Sequence, residues 1–251
     1  MGSFYKFSIV LLVLSISVFV NGQSRNGLYG FTEPGTSSII LTGAGVGYMF
    51  GDLGETKKIM SDHIGIMPTL SYKYTFPNNI GFKLSLMYGR FKHTDYETSN
   101  NARDYSSDIK LGSAAFHFEY NFFGGQYAEY PSYHTFYTFL GIGAVYSDVL
   151  LTSRKNYIKD EFLGKKVKML NNYQAQTYTW SPIIPIGLGY EYELSSNWAV
   201  GAEYTMQIPF SDYMDGISPS GSNHFDYLMS LSFSITYKFG YSPTTTRRWN
   251  Y

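Results

Sequence analysis

Two groups of residues in this chain carry the side chains that hydrolytic catalysis uses. His93 lies two residues before Asp95, and Ser222, His224 and Asp226 occupy alternate positions. A hydrolase or acyltransferase needs a base, an orienting carboxylate and usually a serine held beside the base. Both groups fall at predicted loops, where His, Ser and Asp also serve as turn residues. We therefore assign no catalytic residue and expect a protein without enzymatic activity.

Metal and cofactor chemistry has equally little support in the sequence. His63 beside Asp62, and Asp52 near Glu55, offer fewer ligands than Ca²⁺ requires. The chain has no Cys, which removes thiolate metal sites, disulfides and a lipoprotein anchor together. Its formal net charge of zero gives no basic field for nucleic acid. The sequence therefore predicts no metal, no cofactor and no nucleic-acid partner.

Apolar and small or polar residues alternate along most of the chain. A period of two over so many residues is typical of β-strands with two unlike faces and is incompatible with helical spacing. Eight segments alternate in this way: 40–50, 64–76, 80–88, 114–122, 136–146, 180–192, 198–208 and 225–239. The fourth continues less regularly over 105–113, which predicts a β-bulge there. The fold class predicted is all-β with eight antiparallel strands.

The surroundings of these strands favour a membrane barrel over a secreted lipocalin-like barrel with an apolar interior. Short connections alternate with long ones, as in outer-membrane barrels. Aromatic residues cluster beside the short connections, which predicts an interfacial girdle. Charged residues form only 15% of the chain, against about a quarter in soluble domains. Because lipid leaves no partner for an open strand edge, the first strand must pair with the last.

The first residues have the pattern of a secretory signal peptide. The apolar run 7–20 is too short to span a bilayer as a helix, and Gly22 precedes the predicted first mature residue, Gln23. Residues after Phe239 have the composition of a flexible tail. The predicted organisation is a signal peptide, 1–22, followed by a single barrel domain, 23–251, with a C-terminal tail, 240–251. An even strand count places both termini in the periplasm and the protein in the bacterial outer membrane.

The inward face of the predicted barrel carries charges. The residues expected there are Lys73, Lys83, His117, Glu119, Glu191, Glu203, Gln207 and Lys238. They could form a proton or solute path, or ion pairs that fill the barrel. An eight-stranded interior is just wide enough for side chains, which favours the ion pairs.

Two predicted connections have compositions suited to contacts with other molecules. The lysine-rich connection 148–176 is either a solvated loop or a surface for glycolipid phosphates or an acidic partner. The connection 124–134 holds Tyr127, Tyr130 and Tyr133, which could dock a periplasmic partner or enlarge the aromatic girdle.

Five local motifs follow one another along the chain: GYMFGDLG (47–54), EYNFF (119–123), GIG (141–143), GLGY (187–190) and SDYMDGIS (211–218). Taken in this order, they resemble the PorG-like family of small outer-membrane barrels. The resemblance implies an eight-stranded barrel associated with type IX secretion, in which the PorG protein contacts a periplasmic ring of PorK and PorN. The partners expected are therefore outer-membrane lipid and PorK/PorN-like ring proteins. The function predicted is a structural or assembly component; the alternatives are a rim enzyme acting on lipid or peptide and a narrow porin-like channel.

Overall fold

A computed structural model describes residues 36–51, 64–76, 79–94, 105–123, 134–155, 158, 167–195, 197–217 and 226–239. The predicted signal peptide, the C-terminal tail and the segment with Tyr127, Tyr130 and Tyr133 lie outside these ranges. Within them, ten strands form one antiparallel sheet. The strands are Thr36–Phe50 (β1), Ile64–Ile66 (β2), Thr69–Thr75 (β3), Ile80–Thr94 (β4), Tyr105–Phe123 (β5), His134–Ser153 (β6), Val167–Asn171 (β7), Gln174–Glu193 (β8), Trp198–Pro209 (β9) and Tyr227–Phe239 (β10).

The sheet closes on itself through its first and last strands. β1 pairs with β10 in antiparallel register from Ser37 opposite Phe239 to Phe50 opposite Tyr227. β2 and β3 are two parts of one predicted strand, and β7 is a short addition that pairs with β8. Eight strands therefore surround the interior in the described part of the chain, which confirms the predicted eight-stranded antiparallel barrel. No helix long and apolar enough to cross a bilayer occurs among the described residues.

The predicted bulge within 105–113 is wrong. β4 and β5 pair without interruption from Thr94 opposite Ser106 to Ile80 opposite Tyr120. A register shift occurs instead in β1, between Thr42 and Ala44, where the neighbouring strand breaks at Pro68. Proline has no N–H to donate to a ladder, so a break in the strand at Pro68 is consistent with this irregularity.

The barrel has two unlike ends, which we name the short-turn end and the long-loop end. At the short-turn end, Asn79 has a φ of 64°, a left-handed conformation that Asn adopts more readily than most residues. In the other described short turn, the Trp198 N–H donates to Ser195 Oγ at 3.1 Å.

The strands extend further toward the long-loop end than the sequence predicted, since β6 reaches Ser153 and β8 begins at Gln174. Much of the predicted loop 148–176 is therefore strand.

The direction of the apolar face changes once along the barrel. One register row joins Tyr88, Gly112, Tyr146 and Trp180 across four strands. Between the short-turn end and this row, large apolar side chains point outward and are exposed. Beyond it, Ile109 and Val149 are buried inside, whereas their neighbours Lys110 and Asp148 face outward. This inversion, and not a bulge, explains the irregular alternation of 105–113.

The buried apolar core lies inside the barrel, in its long-loop half. It consists of Met49, Met67, Met87, Phe91, Ile109, Leu111, Ala115, Val145, Val149, Ile183, Met214 and Leu228. A second cluster continues it toward the long-loop end and contains Tyr105, Leu151, Ile158, Ala175 and Ile217, with Val167 packed against it. The interior is thus polar in one half and mainly apolar in the other, where His93, Ser107 and Ser147 are also buried.

Candidate functional site

The interior near the short-turn end is a layer of paired charges. Lys83 lies at its centre, with its Nζ 3.1 Å from Glu119 Oε1 and 2.6 Å from Glu203 Oε2. Lys73 Nζ lies 2.8 Å from the other oxygen of Glu119. Lys83 is 2% exposed and Glu119 is fully buried, so each charge depends on its partner for stabilisation. We call these residues, with the pair described next, the charged layer.

A second ion pair completes the charged layer. Lys238 Nζ lies 2.7 Å from Glu191 Oε1 and 2.9 Å from Glu193 Oε1. Three ammonium groups thus lie among four carboxylates in the described interior. The strand period places all of them inward, because each occupies a position of the same parity on its strand as the buried residues around it.

Two aromatic side chains of β6 bind to the charged layer. The Tyr137 hydroxyl donates to Glu203 Oε2 at 2.9 Å, and Lys73 Nζ lies 4.4 Å from the centre of the Tyr137 ring. Lys83 Nζ lies 4.2 Å from the centre of the Phe139 ring, within cation–π range. The rings fit only because β8 has glycine beneath them, since a Cβ at Gly189 would lie 2.0 Å from Tyr137 Cζ.

The middle of the interior is polar and narrow. A cavity of about 40 Å³ lies between the charged layer and the apolar core. Its lining includes His117 and Gln207, both buried, and Ser85, whose Oγ lies 2.6 Å from His117 Nε2. This space suffices for a few water molecules. Of the eight residues predicted to face the lumen, six are buried, and Glu203 and Lys238 are half-buried at positions of the same parity as the buried residues of their strands.

The segment 211–217, which follows β9, folds into the long-loop end of the barrel. Met214 and Ile217 are buried, in the first and second apolar clusters respectively. The Met214 N–H donates to Asp226 Oδ2 at 2.7 Å, which ties this segment to the start of β10. Gly216 has a φ of 97°, a conformation that favours glycine, and packs beside Val149. The apolar core and this segment together form what we call the plug.

The candidate catalytic groups are not assembled among the described residues. His93 is 1% exposed and points into the barrel, and Asp226 is buried beneath the plug segment. Asp95, Ser222 and His224 lie outside the described ranges, as do Asp62, His63 and Glu55. No group of three or more potential metal ligands occurs in the part of the chain that the structure describes.

Two rings of aromatic side chains surround the outside of the barrel. Near the short-turn end, Phe136 packs on Tyr190 at 4.8 Å between ring centres, and Trp198 packs on Tyr237 at 4.9 Å. Near the long-loop end, Tyr146 packs on Trp180 at 4.9 Å. We call these the short-turn girdle and the long-loop girdle. Sequence reasoning found the first and missed the second.

The two girdles lie one bilayer thickness apart. Phe136 and Tyr146 on β6 are ten residues apart, as are Trp180 and Tyr190 on β8. At about 3.3 Å per residue and a tilt of about 40°, ten residues rise about 25 Å, the height of the apolar band of outer-membrane barrels. Exposed aliphatic residues such as Leu140, Ile142 and Leu188 fill the band between the girdles. A closed barrel with this exterior is a transmembrane β-barrel of the outer-membrane type.

The chain belongs to the family described as a domain of unknown function, DUF6089, which matches residues 36–248. No curated protein matches the chain. Among solved structures, it is similar to a major outer-membrane protein from Thermus thermophilus (12% identity, 82% of this chain, 100% of that chain, TM-score 0.49). It is also similar to Ail, the attachment invasion locus protein of Yersinia pestis (15%, 82%, 100%, 0.48), and to Neisserial surface protein A (14%, 81%, 97%, 0.46).

Proposed function

We propose that this protein is a non-enzymatic, closed outer-membrane barrel with a structural or assembly role. The observation that carries this proposal is the filled interior. The charged layer, the narrow cavity and the plug follow one another along the barrel, and the described residues line no wide passage. Both termini are proposed to be periplasmic, so the short-turn end faces the periplasm.

A filled interior favours a closed barrel over the porin-like alternative. An ion crossing the interior would have to displace Phe91, which is 1% exposed, and then break the ion pairs around Lys83. Removal of one partner from a buried ion pair costs about 3–5 kcal/mol, so such openings are rare at equilibrium.

Conductance in planar bilayers tests the closed state. We expect no conductance steps from the purified barrel, whereas the variant Phe91→Ser/Met214→Ser/Lys83→Ser/Glu203→Ser, which thins the plug and removes one ion pair of the charged layer, is expected to conduct. The variant is the matched control, because it shows that inserted barrels can be detected. Steps of equal size and frequency from both proteins would contradict a closed barrel.

The specific role proposed is that of a PorG-like component of type IX secretion. Motif resemblance supports this role, and the location of one connection agrees with it. β5 ends at Phe123 and β6 begins at His134, so the connection between them starts and finishes at the short-turn end. Tyr127, Tyr130 and Tyr133 lie in that connection, where rigid amphipathic rings could bind PorK/PorN-like ring proteins.

Crosslinking and pull-down of the tagged barrel from intact envelopes tests this role. We expect ring proteins to be recovered with the native barrel and lost when 124–133 is replaced by a short turn. A barrel with 95–104 shortened at the opposite end is the matched control and is expected to keep its partners. Recovery of the barrel alone, with normal secretion in a deletion strain, would contradict the secretion role.

A further inference from the structure

The outer wall of the barrel carries a group of cations immediately beyond the long-loop girdle. Arg90 and Lys110 lie opposite each other in the β4–β5 register, and Lys92 lies opposite Asp108 in the next outward row. All four side chains are on the outward face, and the three cations are exposed. We call these three cations the wall cluster.

The wall cluster carries excess positive charge. Arg90 forms a bidentate ion pair with Asp108, with Nε 3.0 Å and Nη2 2.5 Å from the two carboxylate oxygens. This pairing fixes the guanidinium on the wall. Asp148 lies opposite Lys110 in the β5–β6 register and also faces outward, so three cations and two carboxylates give a local charge of 3 − 2 = +1. Across β5–β6, the carboxylate of Asp148 accepts the Gln176 amide at 2.8 Å.

The height of the wall cluster matches the phosphate groups of a membrane lipid. Arg90 and Lys110 lie two residues beyond Tyr88 and Gly112, which belong to the girdle row. Two residues advance a strand by about 6.6 Å, which at a tilt of about 40° is a rise of about 5 Å. This rise leads from the level where aromatic rings meet the interface into the headgroup region. Cations at that depth attract anionic headgroups.

The girdle has an opening directly below the wall cluster. Gly112 lies between Tyr88 and Tyr146 in the girdle row, and a Cβ built on it meets no atom within 4 Å. A lipid whose phosphate contacts Lys110 therefore has room for the start of its acyl region against the wall.

We propose that the wall cluster is a binding site for a phosphorylated glycolipid of the outer leaflet. Lys92 and Lys110 bind its phosphate oxygens, while Asp108 positions Arg90 and limits the positive charge. The assignment of this lipid to the outer leaflet rests on the membrane orientation proposed above; the binding site itself does not. It is separate from the proposed secretion contact, which lies at the other end of the barrel.

Native mass spectrometry of the folded barrel in non-ionic detergent tests the site, with lipid A carrying both phosphates as the probe. We expect Lys92→Gln/Lys110→Gln to weaken retention of this probe about thirtyfold, because each cation near an anionic surface contributes an attraction of about fivefold. Asp108→Asn is expected to strengthen retention. The charge-matched control, Arg154→Gln/Lys155→Gln, removes two cations beyond the end of β6 and is expected to change it little.

Three outcomes would overturn the proposal. Equal loss in the control variant would assign binding to the net charge of this end and not to the wall cluster. Equal retention of fully dephosphorylated lipid A would exclude phosphate as the recognised group. Equal retention of phosphatidylglycerol would exclude the glycolipid as the specific ligand. Because the assay uses purified barrel, its result is independent of membrane orientation and of any role in secretion.

Discussion

At the scale of single residues, the interior charges of the barrel depend on one another. Glu119 contacts both Lys73 and Lys83, and its carboxylate is fully buried. Glu203 contacts Lys83 from the opposite side. A buried pair adds little stability over apolar residues of the same size, but a buried charge left alone is costly. Each charge of the charged layer is therefore stabilised by its partner, and the loss of one charge destabilises the other.

Glu119→Gln is expected to lower the free energy of unfolding by about 3 kcal/mol, because it leaves Lys73 buried without its carboxylate. The free energy is measured by urea titration of the barrel folded in lipid vesicles. Lys73→Met/Glu119→Met is the control, since it removes both charges and keeps the Lys83–Glu203 pair. The double variant should recover at least half of the loss. Equal losses in both variants would show that packing, and not charge pairing, dominates this layer.

At the scale of elements, the fit between β6 and β8 determines how the interior is filled. Tyr137 lies opposite Gly189 in the register, and Phe139 lies opposite Gly187. Both rings occupy the space that a side chain on β8 would take. The GLGY motif is therefore explained by ring packing inside the barrel.

Gly189→Ala is expected to lower the free energy of unfolding by about 1–3 kcal/mol, because the new Cβ forces Tyr137 from its position and from Glu203. Urea titration in vesicles measures the change. Gly112→Ala on β5 is the matched control; open space surrounds that position, so a change within about 0.5 kcal/mol is expected. A similar loss in both variants would mean that strand glycines act here through the backbone alone.

At the scale of the whole molecule, the two girdles define the slab in which the barrel lies. The aliphatic band between them is matched to a hydrocarbon thickness of about 25 Å. Beyond the long-loop girdle the outward faces of β4 and β5 are polar and the interior is mainly apolar, as in a water-soluble barrel. The structure thus combines a membrane barrel with a soluble extension that closes it.

Quenching of tryptophan by brominated lipids tests this placement. In a Trp249→Phe background, Trp180 and Trp198 belong to the two girdles, so removal of either one leaves a single reporter. Each is expected to be quenched more strongly by bromines near the glycerol than by bromines near the bilayer centre. A control with both replaced by Phe and with Ile142→Trp, in the middle of the band, is expected to show the opposite order. Stronger quenching of Trp180 by bromines near the bilayer centre would contradict the placement of the long-loop girdle at the membrane interface.

The sequence determined the strand count, the closure, the short-turn girdle and the inward direction of the eight lumen residues. Each of these follows from a period of two and from the cost of an open strand edge in lipid. The sequence could not say which lysine meets which glutamate, because the partners Lys83 and Glu203 are 120 residues apart and meet only through closure.

The construction of the long-loop half became clear only from the folded barrel. At Ile109, Leu111 and Val149 the apolar face turns inward, and this depends on where the bilayer ends around the folded barrel. Alternation shows that a strand has two unlike faces but does not show which face meets lipid or water. The same alternation runs through both halves of the barrel, so the second girdle could not be recognised from it. The plug and the wall cluster could likewise not be recognised from the sequence, because each consists of residues that lie far apart in the chain and become neighbours only in the folded barrel.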